Sequence, residues 1–185
     1  MTLDDLLRLA HSAERAAAFA YQGHAASCRD PAERAHIARI GREEWEHRAS
    51  IKRMLTRRGL APSRWLEWKY ACIGRVIALS CHVLGRFMPM YFAGRLESGN
   101  VNEYLLLIEL TRGTALADEH ACILEMARVE KEHELYFLAC IAGHRLMPLF
   151  QAVFGWGPAR SRNRMAMARG DAVCASPSAG PATRA

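Results

Sequence analysis

Apolar residues recur at intervals of three and four through the first 150 positions, and no stretch alternates apolar with polar residues over the length of a strand. That spacing traces one face of an α-helix, so the pattern predicts an all-α protein. A first helix is expected over about Leu3–Ala26, capped by Thr2 or a nearby Asp. Asp30-Pro31 opens a second helix, which Gly59 and Pro62 close. Two more helices follow, from about Met90 to Leu110 and from about Ala115 to Ala142, separated by the turn "TRGT". A short helix is expected near Leu146–Phe154. Between the second and third of the long helices runs "SRWLEWKYACIGRVIALSCHVLGRF". Its longest uncharged run, Val76 to Gly85, is well short of the roughly 20 residues of a membrane span. Four-helix bundles with one long crossover are an established architecture, and here the crossover itself reads as helical and apolar. It is either an extra packing helix or, alternatively, an interfacial surface or the lid of an apolar channel.

Each of the four long helices breaks its own apolar stripe. Glu14 sits among Leu7, Ala10, Ala17 and Tyr21, and Glu44 and His47 interrupt Ile37, Ile40, Ile51 and Leu55. Glu97 lies among Met90, Ala93, Val101, Tyr104 and Ile108, and Glu130 and His133 fall between Ile123, Met126, Phe137 and Ile141. The order is Glu, then Glu-x-x-His, given twice. One unpartnered buried carboxylate costs several kcal/mol, so four in one core need cations. Residues at i and i+3 are neighbours on a helix, so each Glu-x-x-His pair aims at one point. A Glu from each of two helices with Glu-x-x-His from the other two is the ligand set of a di-metal carboxylate bundle. Oxygen and imidazole donors suit iron or manganese better than zinc or calcium. The competing reading is a set of salt-bridged or surface Glu and His residues.

Other polar residues are assigned by the same stripes. Glu43, Glu46, Glu132 and Glu134 fall off them and are expected in solvent, as are Glu119, Glu125, His120 and His24. Glu103 is the main rival to Glu97. His11, one turn before Glu14, is either a partner of that carboxylate or an ordinary exposed histidine. Tyr104 is expected as a core tyrosine rather than a partner of a carboxylate.

Composition narrows the classes. With 185 residues, 51% of them apolar, the chain suits one well-buried domain, expected over residues 1–154. The six cysteines form no C-x-x-C pair, which argues against a zinc knuckle, an iron–sulfur site or a disulfide framework. The net charge is +6, but five Arg and one Asp between 155 and 185 account for +4 of it. The basic character therefore belongs to a Gly/Pro/Ser/Ala-rich tail expected to be disordered, and no specific nucleic-acid partner is expected. No secretory signal is visible at the N-terminus, so a cytoplasmic location is expected. No Gly-rich dinucleotide fingerprint is present either, so electrons for any redox chemistry come from an external donor.

These motifs resemble the ferritin-like di-iron carboxylate superfamily. Within it, "HSAERAAAFAYQGHA", "EEWEH", "RRGLAPS", "WKYACIGRVIALSCHVLG" and "EKEH" are similar to the demethoxyubiquinone hydroxylase family. The resemblance covers roughly residues 5 to 142. It implies a ferritin-like four-helix bundle whose catalytic metal ligands are Glu14, Glu44, His47, Glu97, Glu130 and His133. It also implies two iron ions, with manganese as the alternative, and a monooxygenase acting with O2 on an apolar quinone-type substrate. The crossover would then meet the inner face of a membrane peripherally, and a homodimer is compatible with such a fold. Phe87, Met88, Tyr91 and Phe92 are candidates for pocket or membrane-facing positions. Ser12 and Ala13 replace the family's Ala-Gly, His24 replaces its Gln, and "RLESGNVNEY" departs from its pattern; these differences bear on the substrate rather than the metal ligands. The alternative within the superfamily is a rubrerythrin-like or ferritin-like protein acting as peroxide scavenger or ferroxidase, although the C-x-x-C pairs usual in rubrerythrins are absent. A metal-free helical interaction module is the remaining reading.

Overall fold

The structure, a computed structural model, describes residues 1–158. The described residues contain six α-helices and no strand: α1 (Leu3–Ser27), α2 (Pro31–Arg57), α3 (Arg64–Ser80), α4 (Phe87–Thr111), α5 (His120–Cys140) and α6 (Met147–Phe154). The basic tail expected beyond residue 154 lies, from 159 onward, outside the described residues. The chain divides into two compact units, 1–144 and 145 onward, and α6 falls in the second.

Local chemistry explains the boundaries. Thr2 and Asp5 form a reciprocal capping box that starts α1. Asp30 caps α2 by accepting from the Glu33 amide, and Pro31 occupies a position where no amide donor is needed. Past Arg57 the chain turns through Gly59 at φ 70°, a left-handed conformation that costs glycine little. The expected start of the fourth bundle helix at Ala115 shifts to His120, because a 3-10 turn over Ala117–Glu119 takes up the intervening residues.

Within the first unit, α1 packs along α2 and α4 along α5, giving two helical hairpins that form the four-helix bundle, with α3 lying on α1. One apolar end of the bundle is filled by Leu6, Leu7, Ile51, Met54, Leu55, Leu107, Leu116 and Ile123, all essentially inaccessible. Each such side chain contributes about 1.5–3 kcal/mol on burial, which is what offsets placing charged groups in the same core. The α1–α3 contact is built on small residues. A Cβ on Gly74 would lie 2.5 Å from the Ala16 carbonyl oxygen, and one on Gly23 would lie 2.4 Å from Ala78 Cβ. Backbones this close leave no room for a side chain. Glu67 of α3 ties the crossover down: it accepts from Arg48, Arg15 and Ser12 and lies 2.9 Å from His11 Nδ1. His11 is therefore buried against the crossover rather than exposed, and its hydrogen-bonding partner is Glu67 rather than Glu14.

The crossover is a packing helix with an apolar outer face. Its inner face packs through Ala71 and Gly74, while Trp65, Trp68, Val76 and Leu79 are 60–74% exposed. No helix among the described residues is long and apolar enough to cross a membrane.

Candidate metal centre

The stripe-breaking residues meet in the middle of the bundle. Glu14 comes from α1, Glu44 and His47 from α2, Glu97 from α4, and Glu130 and His133 from α5. All six are buried, with Glu44, Glu97 and Glu130 fully inaccessible. They form two overlapping groups: Glu14, Glu44, His47 and Glu130, and Glu44, Glu97, Glu130 and His133. In each group the four donor atoms lie within 4.8 Å of one another. Glu44 and Glu130 belong to both. Glu103, the rival to Glu97, is only half-buried and outside both groups.

The donor atoms fit a metal better than they fit each other. Glu14 Oε2, both Glu44 oxygens, His47 Nδ1, Glu130 Oε1 and His133 Nδ1 are buried without a hydrogen-bond partner. Buried polar atoms are otherwise almost always paired, so a cluster of orphans at one point calls for a cation. His47 Nδ1 and Glu130 Oε1 are 2.9 Å apart yet lack hydrogen-bond alignment. Adjacent donors on an octahedral ion with bonds of 2.0–2.1 Å are themselves about 3 Å apart. The residues present fit a pair of divalent ions.

Metal-free, the cluster must hold protons. Burial pushes Glu14 up to about 7, with the neighbouring Glu130 carboxylate adding to the rise. Burial and the Glu130 charge drive Glu44 and Glu97 well above the ordinary carboxylate range. For Glu130 burial acts upward as well, but the Glu97 carboxyl and His47 outweigh it and hold Glu130 at about 2. Burial lowers His47, and the facing Glu130 carboxylate more than reverses that. Divalent ions held by these residues would displace those protons.

A surrounding layer of polar side chains orients the carboxylates. Tyr104 of α4 donates to Glu14 on α1, and Tyr21 of α1 donates to Glu97 on α4, so each hairpin sends a hydroxyl to the other. Tyr104 is thus a carboxylate partner as well as a core residue. Asn100 Nδ2 donates to Glu97 at 3.1 Å and to Glu130 at 3.3 Å. It stands three residues after Glu97, the same spacing as the Glu-x-x-His pairs, and that repetition was the available signal. Glu43, expected in solvent, instead lies 2.8 Å from His133 Nε2. Two other solvent assignments are corrected. His24 is buried in a stack with Tyr21 and Phe137, and Glu134 is buried against Lys131. Glu46, Glu125 and Glu132 are exposed as expected. Of the pocket candidates, Phe87 and Tyr91 are buried, Met88 is half-buried and Phe92 is 38% exposed.

A bundle of two helical hairpins around a buried carboxylate–imidazole cluster able to hold metal is the ferritin-like class of protein. Within that class the family model "Ubiquinone biosynthesis protein COQ7" matches residues 1–105, and the chain belongs to that family. This is the demethoxyubiquinone hydroxylase family of di-iron proteins, and membership supports an oxidoreductase role in ubiquinone biosynthesis. The matched region contains Glu14, Glu44, His47 and Glu97, whereas Glu130 and His133 lie beyond it and join the cluster through the fold. No curated protein and no solved structure matches the chain.

Proposed function

We propose that this chain is a di-iron monooxygenase that uses O2 to hydroxylate an apolar, quinone-type substrate. The observation that carries the reading is the pair of overlapping four-donor groups sharing Glu44 and Glu130. Glu14 and His47 would complete the set for one ion, Glu97 and His133 for the other, with Glu44 and Glu130 common to both. A bound iron pair supplies reductive activation of O2. The chain's own contributions are separable from that chemistry. Four buried carboxylates balance the charge of two divalent cations, and Tyr21 and Tyr104 fix the two carboxylates that only one ion uses. The surrounding apolar side chains keep bulk water from the reacting atoms. Hydroxylation turns one oxygen atom of O2 into the new hydroxyl and the other into water, consuming two electrons and two protons, so an external reductant is required.

The outward face of α3 supports a peripheral membrane contact. Trp65 and Trp68 stack on each other there, and Arg64, Lys69 and Arg75 on the same helix add positive charge. Aromatic and basic residues on one amphipathic helix suit the headgroup boundary of an anionic bilayer, where a lipid-soluble quinone would be met. The helix lies on α1, which carries Glu14.

The test is a single turnover of protein loaded anaerobically with Fe(II), given a chemical reductant, a short-chain demethoxyquinone and 18O2. Product gaining one labelled oxygen is expected. Fe(II) oxidation without labelled product would assign a ferroxidase, and loss of added peroxide without labelled product would assign a scavenger.

A further inference from the structure

Glu43 has no place among the six converging residues, yet the fold gives it a specific contact. It precedes Glu44 on α2, and consecutive helical residues point in different directions, so Glu43 faces α5 from outside the cluster. Its Oε2 is 2.8 Å from His133 Nε2. An ionised carboxylate can only accept, so Nε2 carries the proton and the lone pair of a neutral ring is left on Nδ1. That Nδ1 is buried without a hydrogen-bond partner, 3.5 Å from Glu44 Oε1 and 3.9 Å from Glu130 Oε2. It is thus aimed at the two carboxylates shared by both groups. The other imidazole differs. His47 presents Nδ1 to the cluster in the same way, but among the described residues no acceptor is placed on its Nε2. Each half has one tyrosine on its unshared carboxylate, Tyr104 on Glu14 and Tyr21 on Glu97. Asn100 adds a donor to Glu97, and the two halves are unequal at their histidines as well.

We propose that Glu43 is a positioning residue that fixes His133 as its Nε2–H tautomer and makes the metal position of Glu44, Glu97, Glu130 and His133 the tighter of the two. The proposal rests on the di-metal reading given above. An outer carboxylate locks the ring plane and raises the basicity of the ligating nitrogen, so the imidazole arrives already turned and deprotonated on the correct side. Without such an acceptor, His47 must select its tautomer and orientation when the ion binds. Glu43 also has freedom to be changed: its side chain is 27% exposed and contributes nothing to the apolar core, so its removal leaves the fold standing.

The experiment uses the full chain, its Glu43→Ala and Glu43→Gln variants, and Glu46→Gln as an exposed control on the same helix. Circular dichroism verifies that all four fold. In metal-free protein, long-range 1H–15N NMR of the histidine rings reads the tautomer, with the His133 signal assigned by its loss in His133→Gln. Wild type is expected as Nε2–H, and Glu43→Ala as a mixture with Nδ1–H. Anaerobic Co(II) calorimetry with the visible cobalt band then reads the two positions. Wild type is expected to bind two ions in unequal steps. Glu43→Ala should weaken the tighter step by about 10–100-fold and spare the weaker one, with Glu43→Gln between, because its amide oxygen still accepts without charge. Glu46→Gln should match wild type. An unchanged tautomer, or an unchanged tighter step, in Glu43→Ala overturns the proposal. Wild type binding fewer than two Co(II) would instead overturn the di-metal reading, and the metal-free tautomer then still decides whether Glu43 orients His133.

Discussion

Removing the charge of Glu14 should stabilise the metal-free protein and weaken its hold on metal, with a pH dependence of known sign. Burial raises Glu14 from 4.5 to about 7 in the folded chain, so folding favours its protonated form. For a group raised in this direction, the associated stability is complete below pH 4.5 and is lost as pH climbs to 7 and beyond. At about 1.4 kcal/mol for each pH unit, the loss reaches about 3 kcal/mol by pH 7. Glu14→Gln keeps the shape and an acceptor for the Tyr104 hydroxyl but does not titrate. Its unfolding free energy relative to wild type should therefore improve by about 3 kcal/mol between pH 4.5 and 7. The difference between the two proteins is the quantity to measure, because His24, lowered by burial to about 4, titrates in the opposite sense over part of the same range. Urea unfolding of chelator-treated protein at four or five pH values supplies it. A divalent cation at about a thousandfold excess over Kd should reverse the order, since each bound ion stabilises only the folded state that holds it, by about 4.1 kcal/mol, and the variant loses one of the two positions. A variant-minus-wild-type difference that stays flat with pH, or falls as pH rises, would refute the assignment of Glu14 as a buried, proton-holding ligand.

Three further outcomes are expected. Glu44→Gln, altering a residue common to both donor groups, should weaken both metal positions, whereas Glu14→Gln should leave one intact; elemental analysis after iron loading reads the ratio. Gly74→Val should lower stability by about 1–3 kcal/mol in thermal unfolding, because its Cβ would meet the α1 backbone 2.5 Å away, while Gly99→Ala, with open space around its Cβ, should gain about 0.5–1 kcal/mol. Glu67→Ala should cost about 1–3 kcal/mol by stranding Arg48, Arg15 and Ser12. Burial raises Glu67, but Arg48 and Ser12 outweigh it and hold the carboxyl at about 2, so its contribution is present above pH 4.5 and fades as pH falls towards 2; acid unfolding of wild type and Glu67→Ala should converge there.

The chain's own order of residues determined the helices and the six stripe-breaking side chains. Both are properties of single helices: apolar spacing marks the buried face, and a Glu or His on that face is visible without knowing what lies opposite. Caps at Thr2 and Asp30 were legible for the same reason, since their partners are three residues away. Everything that depends on the height of one helix against another was decided only by the tertiary structure. Glu43 reads as solvated on α2, and it becomes a partner of His133 because α5 passes at that level. His11 and Glu67 are 56 residues apart and meet only when α3 is laid on α1. Tyr21 and Tyr104 look like core residues until the hairpins are apposed and each hydroxyl finds the other hairpin's carboxylate. Period and composition are local quantities, whereas a hydrogen bond between helices fixes a distance and an angle that no single helix contains.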